Sequence, residues 1–184
     1  MQCIKDTIKN INIVIGCSIG CSYCYARMNN NRFHTIDDFN KPVFFENKLK
    51  MLDNKRHTAY LLTGQSDLSG WNEEWKDKVF SKMKENKNTQ YIFLTKRPEN
   101  IKLKETPDNG WFGVTVTSSK EKTRIDYLRN NIKAKHYHIT FEPMFDDVGK
   151  LDLSNISWIV IGTETGNRKG KISSKREWVF NIYN

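Results

Sequence analysis

The sequence predicts an α/β protein: a partial (β/α)6 barrel, its parallel sheet inside and its helices outside. Three observations predict it. Apolar runs of strand length alternate about six times with amphipathic stretches of helical spacing. Nearly every run ends in a polar cluster, and ligands of such folds bind at the carboxyl ends of parallel strands. Within those ends polar and apolar residues alternate, which gives the sheet one polar and one apolar face.

Residues 11–15, Ile-Asn-Ile-Val-Ile, read as the first strand. An Asn-rich loop follows, then a helix is expected over 43–52. The second strand is 59–62 and the second helix 73–84, where Trp75, Val79, Phe80 and Met83 recur at core spacing. The third strand, 91–94, is stopped by Pro98. The fourth, 112–116, precedes a helix over 120–130. The fifth, 137–141, is stopped by Pro143; the sixth is 158–161, and a last helix begins over 176–182. Right-handed crossovers then wrap six strands into an open barrel.

A length of 184 residues suits one domain spanning 1–184. Charged residues make up 28% of the chain and the mean hydropathy is −0.68. No apolar run approaches the roughly 20 residues that cross a bilayer, so no membrane partner is expected. No signal peptide is read, which places the cysteines in a reducing, cytoplasmic setting. The net charge of +9 admits a nucleic-acid or nucleotide partner. Scattered Lys-x-Lys pairs on expected helix faces (Lys48/Lys50, Lys76/Lys78, Lys82/Lys84) equally suit plain solvation.

At the strand ends, residues two apart share a face. Thr63/Gln65, Thr95/Arg97, Thr115/Thr117, His138/Thr140/Glu142 and Gly162/Glu164 are expected to line the lumen. Leu62, Leu94, Val114/Val116, Ile139/Phe141 and Ile159/Ile161 are expected to meet the helices. Glu142 and Glu164 are the candidate substrate contacts, and no catalytic residue is singled out.

The densest chemical signal is Cys17-Ser-Ile-Gly-Cys21-Ser-Tyr-Cys24-Tyr25, directly after the first expected strand. Thiolates hold iron–sulfur clusters, and three of them leave one iron of a cubane free for another ligand. Structural zinc is the competing reading, with Cys3 or His34 as a fourth ligand. A disulfide is another, although three such closely spaced thiols pair poorly.

The CxxxCxxC spacing resembles the cluster motif of the radical SAM superfamily. The likeness extends to Ala26-Arg27, the Leu-Thr-Gly-Gln-Ser-Asp-Leu-Ser-Gly-Trp run ending at Trp71, Leu94-Thr-Lys-Arg-Pro98 and Trp111-Phe-Gly-Val-Thr-Val-Thr117. It continues through Arg124-Ile-Asp-Tyr-Leu128, Phe141-Glu-Pro-Met144 and Trp158-Ile-Val-Ile-Gly162. These segments are similar to a branch of small radical SAM proteins of phages and mobile elements with no assigned reaction.

The resemblance implies a radical SAM type of barrel. It implies a 4Fe-4S cluster on Cys17, Cys21 and Cys24, with S-adenosylmethionine (SAM) on the open iron. Tyr23 would pack near the adenine. The loop that normally reads Gly-Gly-Glu is here Thr63-Gly-Gln-Ser-Asp67, which leaves the contact to the SAM amine open among Gln65, Ser66 and Asp67. Lys96 or Arg97 would meet the SAM carboxylate, and Thr115 and Thr117 the ribose. The implied activity is reductive cleavage of SAM to a 5′-deoxyadenosyl radical that abstracts hydrogen from an unidentified substrate. The implied partners are an external electron donor and a second radical SAM protein encoded nearby. Relatives continue into a further short strand, so a shortened C-terminus with an exposed barrel edge is expected. An iron–sulfur electron-transfer or sensing protein, and a zinc-stabilised nucleic-acid-binding module, are the alternative functions.

Overall fold

The computed structural model describes residues 7–54, 58–166 and 168–182. Cys3, Tyr183 and Asn184 lie outside them. Six parallel strands follow one another in space in their order along the chain. They are β1 (Ile8–Asn10), β4 (Ala59–Leu61), β5 (Gln90–Thr95), β6 (Gly110–Thr115), β7 (His136–Phe141) and β8 (Ile156–Ile161). A two-stranded antiparallel ribbon, β2 (Val14–Ile15) with β3 (Val43–Phe44), stands beside the sheet. The sheet curls into half a barrel and, among the described residues, does not close, so β1 and β8 are its edges. The helices are α1 (Tyr25–Phe33), α2 (Glu73–Glu85), α3 (Thr123–Asn131) and α4 (Arg176–Asn181).

Register fixes the two faces. Phe93 pairs with Phe112, Phe112 with Tyr137 and Val114 with Ile139, and all five lie on the helix-covered side. There Phe93 stacks on Phe112 at 4.9 Å, and Phe80 of α2 meets both rings edge-on. Such pairs add about 0.5–1.5 kcal/mol each beyond the area they bury. Val79 and Met83 of α2 and Ile125 and Leu128 of α3 complete this core, as their helical spacing demands. The opposite, concave face carries Trp111, Gly113 and Thr115 beside His136, His138 and Thr140. Gly113 is required there: a β-carbon would stand 2.4 Å from the buried His138 ring.

Several expectations need correction. The buried run 11–15 does not form one strand of the sheet: the sheet takes 8–10, and 14–15 pairs with the ribbon. The helix expected over 43–52 is strand β3 followed by a 3₁₀ helix, Glu46–Asp53. Helix α1 falls where a loop was expected. The helix expected over 120–130 begins as a 3₁₀ turn, Ser119–Glu121, before α3. On β5 the faces are reversed: Leu94 shares the concave face with Gly113, and Thr95 shares the helix side with Val114. The face assignment holds for β6, β7 and β8. Finally, Lys76 is buried against Glu73 at 2.7 Å instead of lying on a solvated face.

Candidate functional site

The thiol loop leaves the ribbon at Gly16, whose φ of +114° suits only glycine. A β-carbon there would also stand 2.9 Å from the Pro42 backbone. The Gly16 amide donates to the carbonyl of Gln65 at 2.9 Å, and Gly16 bridges Ser66 in parallel. The base of the loop is thereby stitched to the segment after β4. A second tie lies at its far end, where the Tyr25 hydroxyl donates to the Gly64 carbonyl at 2.6 Å. Both ties put the cysteines at the carboxyl ends of the sheet strands.

All three thiols are half-buried and free of disulfides. Cys24 caps α1, its Sγ accepting from the Arg27 amide at 3.4 Å. The Arg27 guanidinium donates to the Cys17 carbonyl at 2.9 Å and lies over the Phe39 ring, which pins α1 to the loop. Burial pushes the Cys17 thiol up, and the charges of Asp67, Cys21 and Cys24 add to that. The three sulfurs suit iron or zinc in kind, three soft donors on one braced loop beside a helix N-terminus. Among the described residues, however, no three Cys, His, Asp or Glu side chains stand together as a ready metal-holding group.

The polar residues around the loop divide into engaged and open groups. Asp67 is buried and fully engaged. Its Oδ1 accepts from the Ser69 amide, the Ser69 hydroxyl and the Thr95 hydroxyl, and its Oδ2 from the Lys96 amide. The Ser66 hydroxyl accepts from the Trp71 indole at 3.0 Å. Gln65 makes no such side-chain bond among the described residues and is half-buried. The Asn12 side-chain oxygen is a buried acceptor without a partner among the described residues, and it lies against Gly64.

Tyr23 packs edge-on against Phe145 at 5.2 Å, with the Lys96 ammonium 5.7 Å over its ring. Burial, then the nearby Cys21 charge, pushes its hydroxyl pKa well up, and a hydrogen bond with Thr117 only partly offsets them. Thr117 donates through both its amide and its hydroxyl to Glu121, and the Thr115 carbonyl accepts from Arg124. Thus Tyr23, Lys96 and Thr117 meet beside the thiol loop, with both Thr115 and Thr117 buried.

Glu142 is exposed, runs past Gly162, and its charge reaches Tyr25, which places it on the cysteine side of the sheet. Glu164 turns instead to Arg168 in a two-toothed ion pair of 2.5 and 2.7 Å. That hydrogen bonding holds its carboxyl below the usual range. Sequence reasoning missed Tyr25 and Arg27 as braces of the loop. Their place in the turn after Cys24 was visible, but their partners, Gly64 and the Cys17 carbonyl, are set by tertiary structure.

No helix of the described residues is long and apolar enough to cross a membrane. No curated protein and no solved structure matches the chain. A family model does match, over residues 2–184, and with that match the chain belongs to the family described as protein of unknown function (DUF5131).

Proposed function

We propose that this protein is a radical SAM enzyme, its partial barrel of the radical SAM type and its cluster held by Cys17, Cys21 and Cys24. One observation carries the reading: a three-thiol loop is braced at both ends over the carboxyl ends of a parallel half-barrel. When bound, a 4Fe-4S cluster with SAM supplies an electron and, by reductive cleavage, a 5′-deoxyadenosyl radical for hydrogen abstraction. The chain's own residues bind, orient and shield. Gln65 and the Asn12 oxygen offer acceptors to the SAM ammonium, because Asp67 and Ser66 are engaged in holding the loop. Tyr23 offers an aromatic wall, Lys96 a cation for the carboxylate, and Thr117 a ribose contact. Glu142 faces the substrate side. An external electron donor is required, and a second radical SAM protein is a proposed partner for the open edge.

The test is anaerobic reconstitution with iron and sulfide, followed by reduction, addition of SAM and mass spectrometry for 5′-deoxyadenosine. The wild type is expected to turn brown and form product. Cys21→Ala is expected to lose most of its bound iron and all product. A colourless wild type that retains zinc would overturn the reading, and a brown one that never cleaves SAM would leave the electron-transfer or sensing function.

A further inference from the structure

A second concavity lies beside the thiol loop, between the end of β5 and helix α3. It has a volume of about 400 Å³ and is lined by Lys96, Arg97, Lys120 and Arg124 with Glu121 and Tyr127. Glu99 stands at its rim, exposed to solvent. Four cations against two carboxylates leave the cleft positive. Arg124 is already spoken for: it pairs with Glu121 at 2.8 Å and donates to the Thr115 carbonyl. The Lys96 ammonium leans over Tyr23, toward the cysteines. Arg97 and Lys120 have no ion-pair partner among the described residues, and they approach the cleft from opposite walls. Tyr127 is 45% exposed, an aromatic face free to stack.

We propose that this cleft binds the phosphate of a nucleotide-type substrate, with Arg97 and Lys120 as the phosphate contacts and Tyr127 as the stacking surface for the base. The chemistry follows from the parts. Arg meets a phosphate through a planar fork, Lys through a point charge, and an aromatic face accepts any base. The Glu121–Arg124 pair is anchored to Thr115 and Thr117 at the end of β6, which fixes the α3 side of the cleft. Lys96 joins the cleft to the thiol loop, since it lines the cleft and its ammonium lies over the Tyr23 ring. The inference deepens the radical SAM reading by naming its substrate class, but the binding it asserts needs no cluster.

The test uses the full chain and isothermal titration with adenosine monophosphate, adenosine and a ten-nucleotide oligothymidylate. Adenosine monophosphate is expected to bind at least tenfold more tightly than adenosine. Arg97→Ala and Lys120→Ala are each expected to weaken it about tenfold, the loss of one charge-assisted contact. Lys135→Ala, which removes a cation at the amino ends of the strands, is expected to leave it unchanged. Binding is expected to persist with saturating SAM and in a Cys17→Ala/Cys21→Ala/Cys24→Ala variant, so failure of the cluster reading would not disguise the result here. If the oligonucleotide binds more tightly than the monophosphate and is weakened by the same variants, the phosphate belongs to a polymer. Equal affinity for adenosine and its monophosphate would overturn the proposal. So would indifference to Arg97→Ala and Lys120→Ala, or competition with SAM.

Discussion

Asp67 shows how a polar residue at the right address can do a different job. Its position in the loop after β4 suggests a partner for an ammonium, yet both oxygens are spent on four donors from two segments. Replacing it strands buried donors, each worth about 1–3 kcal/mol when unmet. Asp67→Ala is therefore expected to lose about 3 kcal/mol in urea unfolding, and Asp67→Asn, which keeps one acceptor oxygen, markedly less. Equal loss from both would show that the charge, not the hydrogen bonding, matters. The three cysteines were legible because their spacing is local. The state of Asp67 was not, because Thr95 and Lys96 reach it only once β4 and β5 are paired.

The elements were legible in proportion to their periodicity. Strands β5 to β8 are largely apolar runs of strand length and fell within a residue or two of expectation. Helix α1 has no such signal: Ala26 and Asn30 are its only buried residues, and its cap is a thiol rather than the usual Ser, Thr, Asp or Asn. The β5 faces were misread because the decisive aromatic, Phe93, sits two residues before the polar cluster that drew attention. The β6–β7 pair offers a sharp test of the observed register. Gly113→Ala drives a methyl into the His138 ring, which is buried among packed strands. A loss of about 3 kcal/mol or more is expected in denaturant unfolding. A neutral Gly113→Ala would mean that the two residues do not share a face.

At the scale of the whole molecule, burial of His138 couples folding to pH. Desolvation pulls its pKa down to about 4, with hydrogen bonds to backbone opposing, and its Nε2 lies 3.0 Å from the Phe93 carbonyl. The unfolded chain titrates near 6.5. Between those values the unfolded chain takes up a proton that the folded one refuses. Stability should therefore fall as pH drops from about 6.5 to about 4 and level off below, by about 3 kcal/mol. His138→Gln should flatten that limb while leaving the carboxylate titrations in place; an identical pH profile in the variant would assign the limb elsewhere.

The brace between Gly16 and the segment after β4 also sets a calendar for the protein's assembly. On the ribosome the cysteines emerge well before Gly64–Ser66, and Thr95 and Lys96, which steady Asp67, emerge later still. A newborn thiol loop is thus slack and open to oxidants until β4 and β5 have joined. Under the proposed cluster reading, loading is expected to work best on a chain that has already folded, and a cell short of that delivery step would accumulate a well-folded protein with naked sulfurs.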